Sequence, residues 1–210
     1  MIEHHISNKF RLLFILVITP FLVGSQCTVL FNSGGNDDDK DKDEDEIVVV
    51  SASGIFGSTP VEGVDYTSGT IRGVTGRNGE FEYEPGSPVQ FSIGDIALGE
   101  AVDGKSLVTV TDLASDSAAD TPEAINMKRL IKSLDVDPTD ELITIPARVR
   151  SLAVSSNESL SASIEFLNFS DDTVFANTAS ALVAVLTQDY PFTAVLQDAD
   201  TAGEKTGKSQ

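Results

Sequence analysis

The stretch "DVDPTDELITIP" sets Asp135, Asp137, Thr139 and Glu141 at alternating positions. Side-chain oxygens at positions 1, 3, 5 and 7 of a short loop are what a hard cation such as calcium collects. The loop departs from the full pattern at two places. Asp140 stands sixth, where glycine makes the sharp turn, and Pro146 stands twelfth, where a bidentate glutamate closes the cage. The four residues are therefore a candidate for weak calcium binding, set against a polar turn that ends a helix. No other cofactor is expected. A second acidic set, Asp37, Asp39, Asp41, Asp43 and Asp45, also alternates. It has no glycine turns to make its carboxylates converge, so it reads as a solvated spacer. A third set, Glu80, Glu82, Glu84 and Asp95, lies among strand-like residues. Paired acids can hydrolyse glycosides, but such enzymes need a deep cleft, and acids that alternate along strands are ordinarily the wet face. Tyr66 and Tyr83 could line a ligand face, although at their spacing core or edge packing is the simpler reading.

The residues that are missing exclude more than those present suggest. Both histidines, His4 and His5, precede Cys27, and the chain has one cysteine and no tryptophan. Beyond residue 26 there is no Ser-His-Asp triad, no Cys-His pair and no common His/Cys zinc site. A lone cysteine forms no internal disulfide. The glycines are scattered at strand ends, and none forms a phosphate loop leading into a helix. The expectation is a protein that is not an enzyme.

Cys27 has a different use. "MIEHHISNKFR" supplies Lys9 and Arg11, residues 12–23 are apolar apart from Thr19, and the small residues Gly24 and Ser25 follow. That is the order of a secretory signal, placed at 1–26. A membrane-crossing helix needs about 20 apolar residues, more than this run offers. Cys27 is then the candidate lipid-attachment residue, joining the protein to a membrane. Lipoprotein signals usually carry a small residue just before the cysteine and often leucine three before it. Here those residues are Gln26 and Gly24. Cleavage after Ser25 by the ordinary signal peptidase, with Val23 and Ser25 as the small pair, stays open and would leave a periplasmic or secreted product. The net charge is −19. Loss of Glu3, Lys9 and Arg11 with the signal makes it one unit more negative. Such a surface repels nucleic acid and anionic head groups, which leaves an envelope protein or a surface ligand as the partner classes.

These residues need elements to hold them. Residues 27–46 read as an acidic disordered linker. Residues 47–118 read as a β-sandwich domain: "IVVVSAS" opens it, and Phe81 and Tyr83 alternate with Glu80, Glu82 and Glu84. Val89, Phe91 and Ile93 repeat the alternation, with turns expected at Asn78-Gly79, read as a hairpin, and at Pro85-Gly86. Over 119–197 the period changes. Asp120 is the expected cap of a helix with Pro122 and Glu123 in its first turn. Met127, Leu130, Ile131 and Leu134 form its apolar stripe. "ARVRSLAVS" reads as a short helix. Another begins at Asp171 or Asp172, buries Val174, Phe175, Ala179, Leu182, Val185 and Leu186, and ends at Pro191. Residues 198–210 are a polar tail. The fold class expected is mainly β with α, a small antiparallel β-sandwich followed by a few short helices packed on it.

The wording of residues 54–99, "GIFGSTPVEGVDYTSGTIRGVTGRNGEFEYEPGSPVQFSIGDIALG", resembles the N-terminal module of secreted bacterial lipoproteins and surface proteins. More loosely it resembles the transthyretin-like or carboxypeptidase-regulatory-like β-sandwich. "TVTDL" (109–113) and "NMKRLIKSLDVD" (126–137) resemble later segments of the same pattern, with Ile131 in place of a leucine. The likeness covers roughly 54–146. It implies an envelope location and this architecture, and it implies no reaction. Three roles follow as expectations: a lipid-anchored, non-enzymatic binding or structural module; an accessory subunit of a separate envelope enzyme; or a calcium-responsive surface protein.

Overall fold

The computed structural model describes residues 50–199. The signal, Cys27 and the acidic linker lie outside the described residues, as does the tail from residue 200. The described part belongs to a unit spanning Glu46–Gln210.

Period-two alternation produces the strands that it predicts. In β5 (Glu80–Tyr83), Phe81 is buried while Glu80 and Glu82 face water. In β6 (Pro88–Ile93), Val89, Phe91 and Ile93 are all fully buried. β5 pairs antiparallel with β1 (Ala52–Phe56), and β6 pairs antiparallel with β3 (Asp65–Ser68). The first sheet has the order β5-β1-β9, where β9 (Leu107–Val108) lies parallel to β1. The second has the order β4-β3-β6-β7, with β4 at Ile71–Val74, β7 at Ile96–Ala97, and β8 (Val102–Asp103) also on β6. A third, two-stranded sheet joins β2 (Val61–Glu62) in parallel to β10 (Ile143–Thr144). The main ladders are antiparallel, as expected, and the two short parallel pairings involve segments remote in sequence.

Aromatic rings hold the first two sheets together. Phe56 of β1 stacks on Phe91 of β6 at 4.2 Å between ring centroids, and Phe81 meets Phe91 edge-on at 5.1 Å. Tyr66 of β3 meets Phe81 at 5.9 Å. Full burial of each phenylalanine stabilises by about 1.5–3 kcal/mol, with about 0.5–1.5 kcal/mol more for each well-placed ring pair.

The turn between β4 and β5 differs from the hairpin expected at Asn78-Gly79. The amide of Gly79 donates to the carbonyl of Gly76 at 2.9 Å, so Arg77 and Asn78 are the central residues. β4 and β5 belong to different sheets, and the turn carries the chain from one to the other. Gly79 has φ +76, and a Cβ there would lie 2.6 Å from the carbonyl oxygen of Phe56. Only glycine satisfies both the left-handed backbone and that approach. The Pro85-Gly86 turn forms as expected, with Ser87 donating to the carbonyl of Glu84 at 3.0 Å.

Helix α1 (Pro122–Ser133) is capped by Thr121, whose hydroxyl accepts from Ala124 at 3.3 Å, and not by Asp120. The reason is Pro122. Its ring keeps the preceding residue extended, which makes Thr121 the last non-helical residue. Met127, Leu130, Ile131 and Leu134 are buried as the stripe requires. Helix α2 (Ala147–Leu152) follows Pro146, and α3 (Ser161–Glu165) is a short turn beyond it. Helix α4 (Asp172–Leu186) is capped by Asp171, whose carboxylate accepts from Thr173 and Val174. It ends at Leu186, before Pro191. Its buried face takes Val183 and leaves Val174 38% exposed and Val185 half-buried, because the stripe follows Phe175, Ala179, Leu182 and Leu186.

Strand and helix residues share one hydrophobic core. Two polar attachments sequence reading missed fasten the helices. Arg150 of α2 lies 3.3 Å from the Asp65 carboxylate and also donates to the carbonyls of Gly63 and Ile145. Asn126 of α1, fully buried, donates to the carbonyl of Phe169 at 2.9 Å and to the Asp172 carboxylate at 2.8 Å, and accepts from Arg129 at 2.8 Å.

Candidate functional site

The loop after α1 is organised around its own backbone. Leu134 ends the helix, and Asp135 turns inward until only 4% of it is exposed. The Asp135 carboxylate accepts from the amides of Thr144 at 3.0 Å and Asp137 at 3.3 Å. It thereby ties the helix end to β10. Asp137 accepts from the amide and hydroxyl of Thr139, and Asp140 accepts from the amide of Leu142 at 2.9 Å. These are local side-chain-to-backbone turns, the use that short acidic side chains most often find in loops. Glu141 is exposed. Asp135, Asp137, Thr139 and Glu141 therefore follow one another along the loop, each turned to its own partner or to water. Among the described residues no group of three His, Cys, Asp or Glu side chains stands close enough to hold a metal ion. Burial, helped by the nearby charge of Asp135, pushes the Tyr190 phenol well above its ordinary value, and its hydroxyl donates to the carbonyl of Leu134.

The β-domain acids are distributed in the same way. The Glu80 carboxylate accepts from the amide and the side chain of Asn78, and those hydrogen bonds hold it below the usual glutamate range. Glu84 accepts from the amide of Thr70 at 3.1 Å, and Asp95 from the amide of Ser155 at 2.7 Å. Glu82 faces solvent. Each serves a separate turn or junction. Tyr66 is 8% exposed and packs in the core, and Tyr83 packs beside Phe81 at 5.8 Å.

Two segments of the "TVTDL" and "NMKRLIKSLDVD" wording acquire structural roles. Asp112 accepts from the amide and hydroxyl of Thr109 at 2.7 and 2.8 Å, and Lys105 reaches its other oxygen at 2.6 Å. Burial alone raises the Asp112 pKa, but these hydrogen bonds and the Lys105 charge together leave it lowered. Arg129 lies over the Phe175 ring at 5.1 Å and donates to the carbonyl of Gln197 at 2.7 Å. The amide of Gln197 returns to the hydroxyl of Ser133. Asn126 and Arg129 thus act as a clamp between α1, α4 and the segment after α4.

A concavity among the described residues lies elsewhere. The loop after β1 (Gly57, Ser58, Thr59), the short helical turn at Val110–Leu113 with Thr109 before it, and one flank of α1 enclose a groove of about 320 Å³. Lys128 and Lys132, one turn apart, stand on the α1 side. The signal that could have found them was present in the sequence: two lysines at i, i+4 in a chain dominated by acids. What the sequence could not show was the opposite wall.

Comparison with known proteins places a limited part of the chain. It is 32% identical over 90 residues to "Putative lipoprotein YghJ" of Escherichia coli O78:H11 (strain H10407 / ETEC). It shows the same identity over the same length to "Putative lipoprotein AcfD homolog" of Escherichia coli (strain K12). The match covers 43% of this chain and 6% of each relative, so the chain corresponds to a small part of much longer proteins. No family model matches the chain, and no solved structure matches it. The chain is thus related, distantly and in part, to proteins named as lipoproteins. Among the described residues no helix is long and apolar enough to cross a membrane.

Proposed function

We propose that this chain is an exported, lipid-anchored protein of the bacterial envelope whose β-rich module binds or scaffolds and does not catalyse. The observation that carries the reading is the position of Cys27. It follows an apolar run with basic residues before it and precedes an acidic spacer, in a chain similar to two proteins named as lipoproteins. The wording of residues 54–146 supports the same reading through its resemblance to transthyretin-like modules of secreted lipoproteins. A single acyl chain holds a protein to a membrane only marginally, and two or more make the attachment stable. The acids between Asp37 and Glu46 are repelled by anionic head groups and favour holding the module clear of them.

The non-enzymatic part rests on how the titratable groups are used. The acids at Asp135, Glu80, Glu84, Asp95 and Asp112 each accept from backbone amides of a separate junction. Carboxylates engaged in this way as acceptors support a structural use for them over proton transfer.

The test is the mass of the mature N-terminus, combined with alkyne fatty-acid labelling of growing cells. The expected result is label on Cys27, lost in Cys27→Ala, with the wild-type protein in the membrane fraction. An unlabelled soluble product beginning at Gln26 would overturn the anchor and point to ordinary cleavage after Ser25.

A further inference from the structure

Asn78 and Gly79 form the one Asn-Gly pair in the sequence. The pair carries a chemistry of its own. The amide nitrogen of the second residue can attack the side-chain carbon of the first, Cγ, and glycine has no Cβ to stand in the way. The bond from the Gly79 nitrogen to Cγ forms, the bond from Cγ to Nδ2 breaks, and ammonia leaves with the proton that the Gly79 amide gives up. Water then opens the cyclic imide at one carbonyl or the other, giving aspartate or isoaspartate. Water is the only co-reactant, and Asn78 is exposed to it.

The fold holds each atom of this reaction back. The Gly79 amide donates to the carbonyl of Gly76 at 2.9 Å, the bond that closes the β4–β5 turn. The imide nitrogen carries no hydrogen, so ring closure must first break that bond. The Gly79 carbonyl accepts from Phe56 at 2.8 Å, which ties Gly79 to β1 and resists its swing toward Cγ. Asn78 is held from its other side by Glu80. Its Nδ2 donates to Glu80 Oε1 at 2.6 Å, and its backbone amide donates to Oε2 at 2.9 Å. The first bond retains the leaving nitrogen. The carboxylate also opposes the negative charge that develops on the Asn78 side-chain oxygen during attack.

The products suit the turn poorly. Either one sets a new carboxylate where an amide donated to Glu80 at 2.6 Å. Isoaspartate also adds a methylene to the main chain inside a turn whose last residue, Gly79, is buried, and where an added Cβ would lie 2.6 Å from the Phe56 carbonyl oxygen.

We propose that Asn78 is a latent deamidation site, kept intact by Glu80 and the Gly79–Gly76 bond while the turn is closed and converted mainly to isoaspartate once it opens. Glu80 is a positioning residue in this device. The reaction records, in covalent form, molecules that have opened where the chain passes from one sheet to the other. It does not depend on the lipid anchor or on what the module binds.

The test is incubation of the purified full chain at mildly alkaline pH, folded and in guanidinium chloride. Glutamyl-endopeptidase peptides are then followed by mass and by isoaspartate-specific methylation. The expected result is deamidation at Asn78 at least about tenfold slower in the folded chain than in the unfolded one. Glu80→Ala speeds it about fivefold in the folded chain and leaves the unfolded rate unchanged. Hydrogen exchange separates local from global opening. The substitution speeds exchange at Gly79 and leaves Phe81, paired with Gly54 in the ladder, as it was. Equal rates in folded and unfolded chains, or a folded Glu80→Ala chain as slow as wild type, would overturn the proposal. So would an equal rise in exchange at Gly79 and Phe81, since the acceleration would then come from loosening of the whole domain.

Discussion

Replacing Asn126 by alanine tests whether the clamp between α1 and α4 holds the helical half of the protein. Asn126 is fully buried and makes three hydrogen bonds, to Phe169, Asp172 and Arg129. Leaving a buried partner unsatisfied costs about 1–3 kcal/mol. Asp172 is exposed and rehydrates, and Arg129 is half-buried and keeps its bond to Gln197, so those two ends lose little. The Phe169 carbonyl and the small cavity left behind carry most of the loss, about 2–3 kcal/mol in total. For a domain of this size the melting temperature then falls by roughly 5–10 °C. Urea unfolding followed by circular dichroism measures the first quantity and a thermal scan the second. A double-mutant cycle with Arg129→Ala separates the clamp from simple packing. Residues in one network couple by about 0.5–3 kcal/mol, whereas independent sites add within about 0.5 kcal/mol. A loss below 1 kcal/mol, as an order of magnitude, or strict additivity with Arg129→Ala, refutes the clamp.

Three further outcomes are expected. Gly79→Ala, with φ +76 and a Cβ 2.6 Å from the Phe56 carbonyl, destabilises by about 2 kcal/mol or more, while Gly86→Ala, at φ +88 with open space around it, costs only about 1 kcal/mol; paired urea titrations compare them. Asp112 has a lowered folded pKa, so its contribution is present above its unfolded value near pH 4 and is lost as pH falls through the folded one; Asp112→Asn lowers stability at pH 7 by up to about 1 kcal/mol, and the difference from wild type closes as pH falls through that folded value. Calcium at millimolar concentration, compared with chelator, leaves the melting temperature unchanged, because Asp135 already holds two amides; a rise of several degrees would restore the 135–141 loop as a cation site.

Local signals were legible because they depend on residues a few positions apart. The alternation of Phe81 and Tyr83 with glutamates gave β5, and the spacing of Met127, Leu130, Ile131 and Leu134 gave the buried face of α1. Where two local rules competed, the stiffer one prevailed. Pro122 moved the cap from Asp120 to Thr121, since a fixed ring restricts its neighbour more strongly than a carboxylate attracts an amide. The acids at 135–141 had the spacing of ligands, but spacing does not specify where an oxygen points. Backbone amides at Thr144, brought in by β10, took the first of them.

From the sequence alone came the order of basic, apolar and small residues before Cys27, the hydrophobic periods of strands and helices, the lack of histidine beyond residue 5, and the acidic charge. All are properties of composition or of neighbours along the chain. The tertiary structure alone decided that the turn at Gly76–Gly79 joins two sheets, that β1 sits between β5 and β9, and that Asn126 reaches Asp172. It also set Lys128 and Lys132 opposite Ser58, Thr59 and Thr111. Those pairings follow from which apolar surfaces must be buried together, a condition satisfied by the whole chain at once and invisible in any window of it.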